Sequence, residues 1–312
     1  GWLIDDTVYM AIQATSPGET KVTIKPTVTT ASGTGVSTIS ANTSKTITLS
    51  QYQVLQLSST SDLTGTEAIA DKPFVAIAGC KSCLNAVAML GDVQDHYSEQ
   101  LFPYQSWGKN YAFAGFQKED TERDQYRIIS HKDAVLTITP AITDAKKGVI
   151  GGSQKINIKA NTPYNIVTRD GFYLSSTEPI LVAGFLGDEY TPKDPSYSLM
   201  VPVEQFRKDY SFLTPPKYNA NNITIIAPSN IESVKLYVTT ASGDSLKQTF
   251  VNSQFKKIGT TGWSYYYYNL GSSSSVYKLV ADKPIGVQSY GYVGSTSYAY
   301  PLGLNLTKLN TN

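Results

Sequence analysis

The sequence has little of several features that would identify a class of protein at once. Its two cysteines are too few for a fold held together by disulfides, so a hydrophobic core must stabilise the chain. Its two histidines leave little material for a histidine-rich metal site. No apolar run approaches the roughly 18 residues of a membrane-spanning helix. These absences indicate a soluble, globular chain.

Charge is scarce as well. Charged residues make up 16% of the 312 residues, against about 25% in average domains. The 26 basic residues nearly cancel the 25 acidic ones, which leaves a formal net charge of +1. Nucleic-acid binding depends on an excess of Lys and Arg, so this balance excludes it as the main function. Hydrophobic residues, at 41%, suffice for a substantial core, and the length still allows one large all-β unit.

Composition favours an extracellular protein. Thr, Ser, Asn and Tyr take the place of the Lys and Glu of a typical cytosolic surface. The chain starts at Gly1 without a charged or apolar leader, as in a cytosolic protein or one numbered after a removed signal peptide. Glycosylation sequons begin at Asn42, Asn222 and Asn305, although such short patterns also arise by chance. We expect a secreted glycoprotein.

Apolar and polar residues alternate with a period of two through most of the chain. The segments 45–49, 52–57, 154–159 and 234–238 show this alternation, which is typical of half-buried strands. Glycine, proline, serine and asparagine interrupt these runs. No window longer than about 12 residues carries the apolar stripe of a helix. The sequence therefore predicts an all-β fold.

A longer repeat lies over the strands. A charged residue followed by proline and an apolar run occurs three times, and so does a pair of mainly apolar residues followed by proline. The prolines are Pro73, Pro179 and Pro284 for the first motif, and Pro103, Pro202 and Pro301 for the second. The hexapeptide Val-Thr-Thr-Ala-Ser-Gly occurs at 28–33 and at 238–243. This recurrence predicts three copies of one β-module of about 100 residues.

We expect these modules at 1–125, 126–222 and 223–312, with the first-motif prolines at equivalent strand starts. A module of this size with about seven strands fits a β-sandwich. The alternative is one larger body in which three sheets share a core around a pseudo-threefold axis. The distance from the first-motif proline to the second falls from 30 to 23 to 17 residues, so the first module holds extra material, including both cysteines.

That extra material resembles a known family. The motif Asp-His-x-x-Glu-Gln-Leu-x-Pro-x-x-x-Trp-Gly of the IgGFc-binding protein N-terminal domain family is matched by Asp95, His96, Glu99, Gln100, Leu101, Pro103, Trp107 and Gly108. The resemblance extends to 75–80, 126–138 and 181–202 and so covers most of the chain. It implies a secreted, adhesive or cell-surface protein that binds or scaffolds without catalysis.

The cysteine pair Cys80-x-x-Cys83 allows a structural disulfide, two free thiols, or a redox or metal site. A redox pair usually lies at a helix N-terminus, whereas this pair follows a predicted strand. A zinc site would need two more ligands, and only His96 and His131 are near candidates. The family's second cysteine usually directly precedes the Asp-His pair, whereas Cys83 lies well upstream of it. We expect a disulfide between Cys80 and Cys83.

The motif also contains the acid, base and imidazole of an imaginable catalytic set. No nucleophile elbow accompanies Asp95, His96 and Glu99, so we expect them to be structural, with Trp107 packed and Pro103 next to a strand. A polysaccharide-degrading enzyme would need a pair of carboxylates that the sequence does not reveal, so we do not expect an enzyme. Acidic residues at 119–124 and at Asp188, Glu189 and Asp194 leave a loop calcium site open, without EF-hand spacing; no other cofactor is expected.

Tyrosine is abundant, with 22 residues. Consecutive tyrosines in a strand point to both faces, so some should lie outside the core, where they favour contact surfaces; an aromatic core ridge is the alternative. The interface candidates are Tyr265, Tyr266, Tyr267, Tyr268, Tyr290, Tyr292, Tyr298 and Tyr300.

The expected function is that of an extracellular, non-enzymatic adhesion or matrix protein that forms homo-oligomers or binds other secreted proteins or glycans through its β-modules. The alternative is a dedicated recognition module, lectin-like or immunoglobulin-binding. Nucleic acid is not an expected partner, and no transmembrane segment is expected.

Overall fold

The computed structural model describes residues 7–84, 94–116, 123–186, 195–294 and 296–311, except for the side chains at 83, 84 and 94. This part of the chain is all-β, as predicted, with three single 3-10 turns and no α-helix. No helix in it is long and apolar enough to cross a membrane. The 3-10 turns are Tyr104–Ser106, Val203–Gln205 and Asn252–Gln254.

The strands form three groups in chain order. The first group consists of β1 (Val8–Ala14), β2 (Glu19–Lys25), β3 (Lys45–Ser50), β4 (Val54–Ser59), β5 (Glu67–Ala70), β6 (Phe74–Leu84) and β7 (Gln94–Gln100). The second group consists of β8 (Gly108–Phe113), β9 (Asp124–Ser130), β10 (Ala134–Thr139), β11 (Ile142–Asp144), β12 (Gly148–Ile150), β13 (Lys155–Ile158), β14 (Tyr164–Thr168), β15 (Phe172–Leu186) and β16 (Ser196–Leu199). The third group consists of β17 (Arg207–Leu213), β18 (Ala220–Pro228), β19 (Ser233–Thr240), β20 (Gly243–Val251), β21 (Lys256–Lys257), β22 (Trp263–Gly271), β23 (Val276–Val293) and β24 (Thr296–Pro301).

Strand pairing follows a similar order in each group. The first group has two sheets, β4-β1-β6-β7 and β3-β2-β5. The main sheet of the second group has the order β13-β10-β15-β9-β14, and that of the third has β20-β19-β23-β18-β22-β21. Strands β8 and β16 also pair with β15, and β17 and β24 pair with β23. One long strand thus joins the two halves of the later groups, whereas β5 and β6 are separate.

The first-motif prolines lie where a strand changes partners. Pro73 precedes β6, as predicted, but Pro179 and Pro284 lie inside β15 and β23, so the expectation of three strand starts is wrong. β15 pairs with β10 before its proline and with β9 after it, and β23 changes from β19 to β18. At such a change, no ladder donor is required, so proline is tolerated.

The residue two positions before each of these prolines has a repeated role. Its side chain accepts a hydrogen bond from a backbone N–H in the neighbouring strand. This bond fixes the place where the chain passes from one partner strand to the next. The pairs are Asp71 with Lys21 (2.9 Å), Thr177 with Val135 (3.0 Å) and Asp282 with Ser233 (2.9 Å). The charged residue before proline in the sequence motif is therefore not the residue that makes this bond.

Each group has its own hydrophobic core, built by the inward side chains of alternating strands. Full burial of one such aliphatic side chain contributes about 1.5–3 kcal/mol. Central members are Ile12, Ile24 and Leu57 in the first group, Ile128, Leu136 and Leu174 in the second, and Ile225, Leu236 and Leu279 in the third.

The predicted module boundaries do not coincide with changes in sheet pairing. The boundary at 125/126 falls inside β9, and that at 222/223 falls inside β18. Because β8 pairs with β15, it belongs to the main sheet of the second group. Because β17 pairs with β23, it belongs to the main sheet of the third group. Pairing therefore changes from one group to the next before β8 and before β17.

The repeated hexapeptide adopts two conformations. Residues 238–240 end β19 and lead through a turn into β20, whereas residues 28–33 lie outside the strands except for a bridge from Gly33 to Val36. In the first copy, the Thr30 hydroxyl accepts a hydrogen bond from the Ile39 N–H at 3.0 Å. Local side-chain bonding there replaces the ladder that β20 and β23 supply to the second copy.

Candidate functional site

The family motif begins in β7, where its polar residues make local contacts. Asp95 Oδ1 accepts a hydrogen bond from the His96 backbone N–H at 2.6 Å. The His96 ring stacks on Tyr9, and its Nε2 lies 3.3 Å from the Tyr9 hydroxyl. Asp95 thus engages backbone rather than the imidazole, which is not how an acid orients a catalytic histidine.

Glu99 lies at the junction of the first and second groups. Burial raises the pKa of its carboxyl to about 7. Burial, and secondarily the nearby charge of Glu99, raises the pKa of the Tyr197 hydroxyl in β16. Tyr97, Phe185 and Tyr197 pack around one another with ring centroids 5.3–6.0 Å apart. One ring of this aromatic cluster, Tyr197, therefore lies close enough to Glu99 to feel its charge.

The end of the motif forms a sharp junction into β8. Pro103 lies between the end of β7 and the first 3-10 turn, and the expectation that it leads into or out of a strand stays a prediction. The half-buried Trp107 donates from Nε1 to the Phe102 carbonyl at 3.0 Å and packs edge-on against Tyr104. At Gly108 a Cβ would lie 2.3 Å from Pro202 Cβ, so a larger residue would collide with the next junction.

The second 3-10 turn binds directly to the first junction. Glu204 Oε1 accepts hydrogen bonds from the Lys109 N–H at 3.2 Å and from Asn110 Nδ2 at 2.8 Å. Gln205 Nε2 donates to the Ser106 carbonyl at 3.1 Å. The two segments that follow Pro103 and Pro202 in the sequence repeat thus contact each other.

The C-terminal segment 302–311, which we call the C-terminal strap, crosses both junctions. Thr307 donates its N–H to Gln205 Oε1 and accepts from Gln205 Nε2, at 3.0 and 2.8 Å. Leu309 then donates its N–H to the Gln105 carbonyl at 2.7 Å. The strap therefore ties the end of the third group to the junctions that follow the first and second groups.

A partly buried ion pair connects the first and second groups. The Nη1 atom of Arg127, whose side chain is 6% exposed, lies 2.7 Å from Asp62 Oδ2. Its Nε donates to Asn165 at 3.1 Å. Burial lowers the pKa of Arg127, and the carboxylate of Asp62 opposes that shift. Replacing Asp62 would take a charged partner from this desolvated guanidinium, which is costly.

Neutral hydrogen bonds connect the second and third groups. The Ser198 hydroxyl donates to Gln288 Oε1 at 3.0 Å, and the Thr224 hydroxyl donates to the Gly115 carbonyl at 3.1 Å. The Tyr267 hydroxyl donates to the Ala114 carbonyl. β16 contacts both β7 and β24, so the second group lies against the last strands of the other two.

The tyrosines proposed as an interface pack within this chain. None of the eight is exposed: Tyr265 and Tyr290 are buried and the others are half-buried. The hydroxyl of Tyr298 donates to Asn221 Oδ1 at 2.7 Å, and that of Tyr300 to the Leu213 carbonyl. This placement matches the alternative of a core ridge. A contact between chains through these residues stays a prediction.

The predicted covalent sites have different settings. Cys80 is 4% exposed, and the described residues contain no free cysteine; the Cys83 side chain lies outside the description, so the pairing stays a prediction. Asn42 and Asn305 are exposed. Asn222 is 5% exposed within β18, which leaves no room for a glycan in the folded chain.

The calcium candidates Asp188, Glu189 and Asp194 lie outside the described residues, as does the segment 117–122. Asp124 is 2% exposed, and its Oδ2 accepts a hydrogen bond from the Phe116 N–H at 3.0 Å, a structural contact. Within the described ranges, no group of three His, Cys, Asp or Glu residues is arranged to hold a metal ion.

One repeated feature escaped the sequence analysis. Residues 109–113 read Lys-Asn-Tyr-Ala-Phe, and residues 208–212 read Lys-Asp-Tyr-Ser-Phe. They lie in β8 and β17. Each tyrosine hydroxyl donates to the carbonyl of the residue after Pro179 or Pro284, the prolines at which a strand changes partners and which we call switch prolines. Tyr111 donates to Ile180 at 2.6 Å and Tyr210 to Ile285 at 2.5 Å. Their 99-residue spacing equals that of Pro103 and Pro202, which was the available signal.

The chain is similar to one protein family over most of its length. The family model described as "IgGFc binding protein" matches residues 4–291. None of the curated proteins compared with the chain matches it. The crystal structure of the PBSX exported protein XepA is 10% identical and covers 56% of this chain and 82% of its own, with a TM-score of 0.17. The X-ray structure of the entire lipid-containing bacteriophage PM2 is 11% identical and covers 86% and 85%, with a TM-score of 0.13. At such TM-scores neither likeness carries an argument.

Proposed function

Because the chain belongs to the IgGFc binding protein family, we propose that it is an extracellular, non-enzymatic protein that binds other secreted or surface molecules. The observation that carries this proposal is the extent of the family match, which spans residues 4–291, nearly the whole chain. The setting of the motif supports it, because Asp95 binds backbone and His96 binds Tyr9.

We further propose that the three strand groups are copies of one module, held as a single rigid scaffold. The shared pairing order and the partner change at each switch proline support the repeat. The Arg127–Asp62 pair, the Ser198–Gln288 bond and the C-terminal strap support the rigidity, because any movement of one group against another would break these contacts. Such a scaffold displays loops and sheet faces in a fixed arrangement.

Of the two modes of binding, we favour recognition of another protein over self-association. The tyrosines that suggested a contact between copies have partners inside the chain, with Tyr267 and Tyr300 bonded to backbone carbonyls. Their apolar area therefore drives packing of this chain on itself. An extracellular location is also consistent with a Cys80–Cys83 disulfide and with glycans on the exposed Asn42 and Asn305.

The experiment uses the purified 312-residue chain immobilised on a sensor. The Fc fragment of immunoglobulin G is the first probe, because the family description names it, and the Fab fragment of the same antibody is the matched control. Saturable binding of Fc without binding of Fab would support recognition. Light scattering of the same sample reports self-association. A monomer that binds neither Fc nor a panel of secreted glycoproteins would contradict the proposal.

A further inference from the structure

Neighbouring strand groups pack against each other through a contact that occurs twice along the chain. On one side is the residue eight positions before the first-motif proline, which is Gly65 in the first group and Gly171 in the second. A Cβ at Gly65 would lie 2.2 Å from the Asn161 carbonyl oxygen of the second group, and one at Gly171 would lie 3.4 Å from Tyr265 Cε1 of the third. Each glycine therefore lies against the group that follows it.

The other side of this contact is also equivalent in the three groups. Three positions after each first-motif proline, the chain pairs with β1, β9 or β18, whose residue there pairs in turn with Leu55, Tyr164 or Tyr266. The three residues before these partners are 52–54, 161–163 and 263–265, which we call the edge segments. Asn161 and Tyr265, which meet the two glycines, therefore belong to equivalent edge segments.

Between the second and third groups the contact is largely apolar. Ala112 and Ala114, which face outward at the end of β8, are 5% and 4% exposed. They belong to one hydrophobic cluster with Ile258 and Tyr265 of the third group. The Tyr267 hydroxyl adds a hydrogen bond to the Ala114 carbonyl. Burial of apolar surface thus contributes to the packing of one group on the next.

The third group exposes the outer face that the second group buries. Counted from the proline, Val276 corresponds to Gly171, and its strand partner Leu213 corresponds to Ala114. Val276 is 46% exposed and Leu213 is 56% exposed. Leu246, two strands away on the same face, is also 56% exposed. We call these three residues the free outer face.

The first group exposes the complementary half of the contact. Tyr52 and Val54 of its edge segment are 68% and 54% exposed. The equivalent residues of the later groups are buried or half-buried: Asn161, Pro163, Trp263 and Tyr265. Tyr52 and Asn161 both have a positive φ, 66° and 54°, so the first two edge segments turn in the same way. Both halves of a contact that the chain makes twice are therefore exposed on the same chain.

We propose that the edge segment of the first group in one copy of this chain packs on the free outer face of a second copy. Tyr52 and Val54 would contact Val276, Leu213 and Leu246, and removal of this apolar surface from water would drive the association. Val276 stands where the contacts within the chain have glycine, so here side chains meet side chains. A second copy is the favoured occupant because each half has its complement among the described residues.

Such a contact is heterologous, because different surfaces of the two copies meet. A dimer formed through it keeps one free outer face and one free edge segment, so a third copy can add in the same way. None of the eight tyrosines considered above takes part. The proposal goes beyond recognition of another protein, which stays the proposed function, because head-to-tail copies would repeat a recognition surface along an array.

Sedimentation velocity of the purified 312-residue protein at increasing concentration tests the proposal. The average mass should rise with concentration past that of a dimer. Val54→Lys and Leu213→Lys each place a charge in one half of the contact and should weaken association at least about tenfold. Val149→Lys, at a 71% exposed residue outside both halves, is the matched control and should associate as the parent does.

A second variant of the edge segment guards against misfolding. Tyr52→Asn removes the exposed ring and supplies a residue that tolerates a positive φ, as Asn161 does at the equivalent position. It should also weaken association, and thermal melting checks that every variant is folded.

A mixture of the two lysine variants gives the sharpest result. Val54→Lys keeps an intact free outer face, and Leu213→Lys keeps an intact edge segment. We expect neither variant to associate alone, and we expect the equimolar mixture to form a species of two chains and none larger.

Three results would overturn the proposal: a parent protein that stays monomeric at high concentration, association that stops at a dimer, or folded lysine variants that form no two-chain species when mixed. Weakening by Val149→Lys equal to that by Val54→Lys would also contradict it. Binding of the Fc fragment is measured separately on the sensor. Failure of self-association therefore leaves the proposed function untouched, and failure of Fc binding leaves this contact untouched.

Discussion

Leu279 and Ile285 in the third strand group pair with β17 and are fully buried. Ala68 and Phe74, at the positions of the first group that correspond when counted from the proline, are only partly buried, and β5 pairs with no strand but β2 among the described residues. In the third group one strand, β23, runs through both halves of the sheet; in the first, β5 and β6 are interrupted. The difference indicates that β8 and β17, the first strands of the second and third groups, complete the cores of those groups, and no described strand does the same for the first group.

The largest loss of stability is expected at the fully buried residues that pair with β8 and β17. Ile180→Ala and Ile285→Ala should each lower the free energy of unfolding by about 2–5 kcal/mol, because both leave a cavity under a covering strand. The corresponding Phe74→Ala should cost less, about 1–2 kcal/mol, since that ring is only partly buried against the core of the first group. Chemical denaturation of the three variants measures this. Equal costs at Phe74 and Ile285 would contradict the comparison.

A second prediction concerns pH at the junction of the first and second groups. The pKa of Glu99 is raised to about 7 in the folded chain, so between its ordinary value and 7 the folded state binds more protons than the unfolded state. Stability should therefore be greatest below about pH 5 for this group and fall by about 1–2 kcal/mol as the pH rises to 8. Glu99→Gln should remove that part of the dependence. An unchanged pH profile in Glu99→Gln would show that this carboxyl is not responsible.

A smaller effect concerns the covering strands β8 and β17, whose tyrosine hydroxyls donate to the strands that they cover. Tyr210→Phe removes the hydroxyl that donates to the Ile285 carbonyl but keeps the ring. The loss should be about 0.5–1.5 kcal/mol, the net value of one buried hydrogen bond. Tyr52→Phe, at a 68% exposed tyrosine, is the matched control and should be neutral. A neutral Tyr210→Phe would mean that this bond does not stabilise the cover.

The smallest effect is expected at the open edge. Ile69→Lys should change stability by no more than about 0.5 kcal/mol, because Ile69 is 65% exposed. The structurally corresponding residues are Ser175 and Val280, which the covering strands β8 and β17 pair with directly. A loss of several kcal/mol in Ile69→Lys would show that the β5 edge is covered.

Local pattern predicted much of this fold, because alternation is set by strand geometry. Segments 45–49 and 234–238 lie in β3 and β19, as expected. Tertiary context decided the rest. The hexapeptide at 28–33 and 238–243 has one sequence and two conformations, since only the second copy has partner strands on both sides.

The site was harder to predict. Alternation places tyrosines on both faces of a strand, but it cannot say that another strand group covers the outer face, as happens at Tyr267 and its bond to Ala114. The Tyr-x-Phe repeat of β8 and β17 was visible in the sequence. Its meaning depends on long-range pairing with β15 and β23, which no local pattern encodes.

Amide hydrogen exchange on the free 312-residue protein measures whether the outer edge of β5 is open in solution. We expect rapid exchange at alternate amides of Glu67–Ala70, which have no ladder partner on that edge among the described residues, and strong protection of Phe172–Ser176 and Val276–Val280, which have ladders on both sides. Equal, strong protection of all three segments would contradict this expectation, because the first group would then already have its covering strand.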